Sequence, residues 1–268
     1  MNLASETLRF KFLTPCFSGT AEGRNPAFSE LRVPPIRGQI RFWHRAVFGP
    51  ESANHIWGST NGNEGSGSRI AVRIESGTPA SRQTAQLLPH KTHGQGSRPA
   101  LPAEAAASFQ LQRLPACAND DWQKALGATQ LWLVAGTLGY RSSRAAGSVW
   151  PQEPWAPGSR AELARLLAPL IARSSNPWGA ALVAEAAQKS WGELRETASD
   201  TSGGNPQLFG RPQPREPSPV RFKVIELANG LCLLVIGPSK EFVENAEVAL
   251  RNKPGPHRWI DLGVWKPL

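Results

Sequence analysis

The chain has 268 residues, enough for one large domain or two small ones, each able to bury a core. Its 25 Gly and 24 Pro imply many turns and long loops, and its three Cys are too few and too scattered for a disulfide framework or a zinc site. A net charge of +9 favours a polyanionic partner, nucleic acid ahead of an anionic membrane.

Residues 6–13 alternate apolar and charged side chains, which predicts a half-buried strand. Leu8, Phe10 and Phe12 share one face of it, and Arg9 and Lys11 share the other. After a loop at 14–20 and a polar stretch to Glu30, a helix is predicted from Ile36 to Phe48. Ile36, Ile40, Trp43 and Val47 form its apolar stripe. Arg37, Arg41 and Arg45 form a second stripe, roughly opposite. Such a row of planar guanidinium groups matches evenly spaced phosphates, although a solvated helix face in an Arg-rich protein has the same pattern.

Ile56-Trp57-Gly58-Ser59 closes this unit, and a Gly/Ser loop at 61–68 leads to a strand at 70–74. Residues 78–104 read as a long excursion carrying His90 and His93. A third strand is expected at 105–111, and Asn119 or Asp120 caps a helix that runs through Leu133. The Gly-rich segment 136–149 then turns into a fourth strand, carrying Arg141 and Arg144. This order, β-α-β-β-α-β, predicts an α+β fold with a ferredoxin-like domain over residues 1–150.

Beyond it, 159–173 and 180–197 read as Ala- and Leu-rich helices, and 199–219 as a Pro/Gly/Ser loop. Strands at 220–227 and 231–236 flank Ala228-Asn229-Gly230, a hairpin signal. A helix at 240–251 and a short tail follow. Residues 151–268 are therefore expected to form a helical segment plus a small, reduced α+β domain. The longest apolar run, 231–236, is far too short to span a bilayer. The first six residues have neither the basic region nor the apolar core of a secretory signal, so a cytoplasmic location is expected. Cys16, Cys117 and Cys232 read as small buried hydrophobes.

Glycines in 136–149 can let backbone amides approach phosphates while Arg141 and Arg144 add charge. The segment is no nucleotide-triphosphate loop, because no Gly-Lys-Ser or Gly-Lys-Thr ends it. Taken alone, it reads better as a helix stop with exposed arginines.

Three segments together resemble the RAMP superfamily of RNA-binding CRISPR proteins, and more narrowly the first subunits of Cmr (type III-B) effector complexes. The first comprises Thr14-Pro15-Cys16-Phe17-Ser18-Gly19, Glu30-Leu31-Arg32, residues 36–46 (Ile36-Arg37-Gly38 through Arg45-Ala46) and Ile56-Trp57-Gly58-Ser59. The second is the Gly-rich segment 136–149, although the superfamily's paired basic residues and Gly-aromatic-Gly are here Ser143-Arg144-Ala145-Ala146-Gly147. The third is 215–224, which is similar to a Ser-Pro strand entry. The resemblance implies a non-catalytic RNA-binding subunit near the 3′ end of a guide RNA, helping to capture target RNA in antiviral defence. Its implied partners are guide RNA (crRNA), target RNA and other RAMP subunits of a type III effector complex, with no membrane, cofactor or metal. Arg37, Arg41 and Arg45 are then expected as phosphate clamps, Arg9 and Lys11 as lining on the sheet beside them, and Arg141 and Arg144 as closing the groove. Trp43, on the apolar stripe, is expected in the core.

The alternative is a metal-independent, guide-RNA-processing endoribonuclease of the same superfamily using His44, which lies between the two helix stripes and near Arg41 and Arg45. A neighbouring cation would favour its neutral, basic form. His90 and His93 are two ligands without Cys or carboxylates beside them, a weak metal set. Asp120 and Asp121 are better read as a helix start.

Overall fold

The computed structural model describes residues 4–19, 27–61, 64–75, 80–89, 96–172, 178–185, 190–202, 205–211, 214, 216–228, 230–252 and 259–265. His90 and His93 lie outside these residues.

Strand β1 (Ser5–Phe12) follows its alternation, with Leu8, Phe10 and Phe12 fully buried and Arg9 exposed. Helix α1 (Val33–Trp57) is longer than 36–48. Pro34 and Pro35 open it, where a missing amide hydrogen costs nothing. Gly49, at φ 87°, breaks it ahead of Pro50, and a second helical segment continues to Trp57. Strands β2 (Ile70–Ile74) and β3 (Ala106–Arg113), helix α2 (Asn119–Ala135) and strand β4 (Val149–Pro151) complete the first half. The strands form one antiparallel sheet in the order β4-β1-β3-β2, with Leu8 opposite Phe109 and Phe10 opposite Pro151. The Phe10 ring lies 5.9 Å from Trp132 of α2, so the apolar face of the sheet packs against the helices.

The second half holds α3 (Arg160–Ile171), β5 (Gly179–Glu185), α4 (Trp191–Thr201), the single turn α5 (Pro206–Phe209), β6 (Arg221–Leu227), β7 (Gly230–Gly237), α6 (Lys240–Arg251) and β8 (Trp259–Trp265). Two expectations are corrected here. Residues 180–185 are not helix but a strand between β7 and β8, and the expected short tail holds a strand at 259–265 that pairs with β5. Ala180, Ala181, Leu182 and Val183 are wholly buried, and pairing on both sides overrides the helix propensity of alanine. Close packing also demands small residues: a Cβ on Gly179 would lie 2.9 Å from the Cα of Lys240 at the start of α6. The second sheet, β6-β7-β5-β8, is antiparallel and has as many strands as the first. Numbered within its own half it reads 2-3-1-4, the order of the first sheet from the opposite edge.

Within 78–104, short ladders join Thr84–Gln86 to Ser97–Pro99 and Ala80–Ser81 to Ser29–Glu30. The expected loop at 199–219 contains the end of α4 and all of α5. One apolar core runs through both halves, and Cys16, Cys117 and Cys232 are buried in it as free thiols. Among the described residues, no helix is long and apolar enough to cross a membrane.

Candidate nucleic-acid interface

The break at Gly49 folds the end of α1 back beside its beginning. The Arg37 guanidinium donates to the Trp57 carbonyl, and Arg41 donates to Asn54 Oδ1 at 2.6 Å. Both line a cavity of about 350 Å³ whose far wall carries Ser59, Thr60 and Ser66. Gly58, at φ 82°, makes the turn between these walls, and a Cβ there would come within 2.6 Å of the Ser66 carbonyl. Two guanidinium groups facing hydroxyls can hold an oxyanion. Arg45 is exposed further along the helix. Trp43 is fully buried, as its place on the apolar stripe required.

His44 does not face solvent. It is fully buried, its Nε2 lies 3.0 Å from Ser52 Oγ, and its ring packs 4.9 Å from Phe48 and 6.3 Å from Trp57. Its pKa is pushed down to about 4, first by burial and then by the charge of Lys124, with Asp121 opposing. Loss of water, rather than the neighbouring arginines of the sequence reading, keeps it neutral. An imidazole closed off in this way cannot reach an RNA hydroxyl.

Arg9 and Lys11 do not lie beside the α1 arginines. Strand alternation puts them on the face of the sheet away from Phe10 and the helices. Lys11 Nζ lies 2.9 Å from Glu104 and 2.9 Å from Glu226 at the end of β6. Burial alone would lower its pKa, but the hydrogen bonds to these two carboxylates outweigh it and raise the pKa. Lys11 thus fastens the two halves.

The Gly-rich segment after α2 is also a fastening. Ala145 donates its amide to the Phe222 carbonyl at 3.0 Å, and the Phe222 amide donates to Ser143 at 3.0 Å. The buried Ser148 hydroxyl accepts from the Val224 amide at 3.0 Å, and Thr14 Oγ1 donates to the Ala145 carbonyl at 2.6 Å. The amides of Ala145, Phe222 and Val224 are therefore used inside the protein rather than offered to phosphate. The segment bends through positive φ at Gly139, Arg141, Ala145 and Gly147.

Its side chains are better placed. Arg141 and Arg144 border a cleft of about 680 Å³ between the halves, with Tyr140 and, from the second half, Arg211, Glu216 and Arg221. Arg141 donates to Ser199 Oγ at 3.3 Å, and Arg144 donates to the Phe209 carbonyl at 3.1 Å. Burial pushes the pKa of both down, that of Arg141 to about 10 with the charge of Arg144 adding. Arg221 stacks 4.5 Å over the Phe42 ring of α1. Nearby, Arg195 of α4 is 4% exposed and donates to the carbonyls of Gln86 and Leu87, and its pKa falls to about 10 through burial and the charge of Arg141. Among the described residues lining the cleft, Glu216 is the one carboxylate against four guanidinium groups. The Tyr140 ring is 61% exposed.

Sequence reasoning found Arg141 and Arg144 but missed Tyr140, Arg195, Arg211 and Arg221. The signal for Arg221 was its place beside the Ser-Pro strand entry. Tyr140 lies in the Gly-rich segment itself, next to Arg141, whereas Arg195 and Arg211 are isolated residues without a pattern.

No family model and no curated protein matches the sequence. Solved structures do match. The apo crystal structure of Cmr1 from Pyrococcus furiosus superposes with a TM-score of 0.57 at 15% identity, covering 87% of this chain and 87% of that one. A chain in the cryo-EM structure of the type III-B Cmr-beta complex, bound to cognate target RNA and AMPPnP in the presence of ssDNA, superposes with a TM-score of 0.57 at 10% identity. That match covers 93% of this chain and 99% of the other. The chain therefore shares the fold of these Cmr structures.

Proposed function

We propose that the chain is a non-catalytic RNA-binding subunit of a type III CRISPR effector complex. In this reading it lies near the 3′ end of the guide RNA and helps to capture target RNA for antiviral defence. The observation that carries the proposal is the cleft between the halves, where four guanidinium groups face one carboxylate beside an exposed tyrosine. Guanidinium groups can track a phosphate backbone while an aromatic ring offers a stacking surface for a base. The fold shared with chains of Cmr assemblies supports membership in such a complex, with guide RNA, target RNA and other RAMP subunits as partners. The burial of His44 supports a binding role over a cleaving one. The order β4-β1-β3-β2 supports reading residues 1–150 as the ferredoxin-like unit, and the matching order of the second sheet supports a second such unit after it.

Affinity purification of the tagged protein from its host, with sequencing of bound RNA and mass spectrometry of bound proteins, tests the reading. Repeat-derived guide RNA together with several RAMP subunits is the expected result. Recovery of the protein alone, free of RNA, would overturn it.

A further inference from the structure

Glu216 stands out in the cleft by its sign and its position. Residues 211 and 216 face each other across an antiparallel bridge, with amide–carbonyl bonds of 2.9 and 3.3 Å. Their side chains meet at 2.6 Å, and each is about half exposed (47% and 46%). The other cleft arginines have neutral partners: the Ser199 hydroxyl, the Phe209 carbonyl and the Phe42 ring. Arg211 is thus the cleft guanidinium whose charge an acid of the same chain neutralises.

Building on the RNA-binding reading, we propose that Glu216 is an internal competitor for RNA: its carboxylate holds Arg211 in the free protein, and a phosphodiester of single-stranded RNA displaces it. Carboxylate and phosphate offer a guanidinium the same paired oxygen geometry, so one can replace the other on the same fork. An exposed ion pair contributes little, whereas a phosphate at Arg211 also enters the field of Arg141, Arg144 and Arg221. The exposed Tyr140 ring on the same cleft offers a surface for the adjoining base, which favours a nucleotide chain over a free anion. The released Glu216 needs no new partner, because it already lies at the solvent edge. The pair therefore sets a threshold: RNA able to fill the whole cleft opens it, and a weakly bound anion does not.

The test uses the full chain and a fluorescein-labelled single-stranded oligouridylate, with fluorescence anisotropy followed across a salt series. Glu216→Gln, which keeps size and removes charge, is expected to tighten binding about two- to five-fold at low salt. Adding Arg211→Gln to that variant is expected to abolish the gain and to lower the slope of log affinity against log salt by about 0.7, the signature of one lost phosphate contact. Matching urea midpoints would show that each variant is folded. Equal affinity of Glu216→Gln and wild type overturns the proposal while leaving RNA binding intact. An unchanged salt slope on adding Arg211→Gln also overturns it. Absence of binding by every form would overturn both the competitor and the RNA-binding reading.

Discussion

Between pH 6.5 and about 4 the unfolded chain takes up a proton at His44 that the folded chain refuses. This contribution to stability is fully present above about pH 6.5 and is lost as the pH falls toward 4, by roughly 3 kcal/mol at the limit. Urea unfolding at pH 7 and 4.5 should show a steeper loss for wild type than for His44→Gln, which retains a hydrogen-bonding group toward Ser52. The helical wheel places His44 correctly between two stripes, yet its burial was not legible. The residues that cover it, Ser52 and Trp57, lie beyond a break that a regular helix does not have. The arginine stripe was legible, because a period of four is a local property. Arg37 and Arg41 nonetheless have partners in Trp57 and Asn54, so only part of their donor capacity is left for phosphate. Replacing Arg37, Arg41 and Arg45 together by Ala is expected to weaken RNA binding and reduce the salt slope by up to about 2. An unchanged slope in the same anisotropy assay would remove this helix from the interface.

At the scale of elements, the strands whose patterns are local were read correctly. β1 shows its alternation, and β6 and β7 flank a turn sequence. β5 was misread because Gly179-Ala180-Ala181-Leu182-Val183-Ala184 carries no period-two signal: a strand buried on both faces has none to show. What selects small residues there is the nearness of α6, a contact distant in sequence. The Gly-rich segment shows the same limit from the other side. Its glycines suggested a phosphate cradle, whereas Gly147 serves the bend: a Cβ built there would lie 1.9 Å from the Leu138 carbonyl oxygen, at φ 60°. Gly147→Ala should destabilise the fold by about 3 kcal/mol or more, read as a lower thermal midpoint. Ser148→Ala leaves the buried Val224 amide without its acceptor and should cost about 1–3 kcal/mol in urea unfolding.

For the whole molecule, the joint matters most, and it was the least legible. Its closing residues come from different halves of the chain, 76 and 90 residues apart in sequence. Lys223, fully buried, donates to the Leu133 carbonyl at 2.6 Å near the end of α2 and lies 5.7 Å from the Trp150 ring. Burial drives its pKa well below the ordinary amine range. A division at residue 150 falls inside β4 and cuts through this contact surface. Expressed alone, residues 1–150 leave Ser148 and Leu133 without the partners that Val224 and Lys223 supply, and they uncover Trp150. The fragment is expected to bind the dye ANS and to unfold with low cooperativity, whereas the full chain should do neither.

The same joint has a consequence for biosynthesis. Ser148 leaves the ribosome 76 residues ahead of Val224, and Leu133 leaves 90 ahead of Lys223. At about 5–20 residues per second, the first sheet is assembled for several seconds with its contact surface open. During that interval the nascent chain is a substrate for chaperones and for its neighbours on the polysome, so slower translation between residues 151 and 220 should lower the yield of full-length protein.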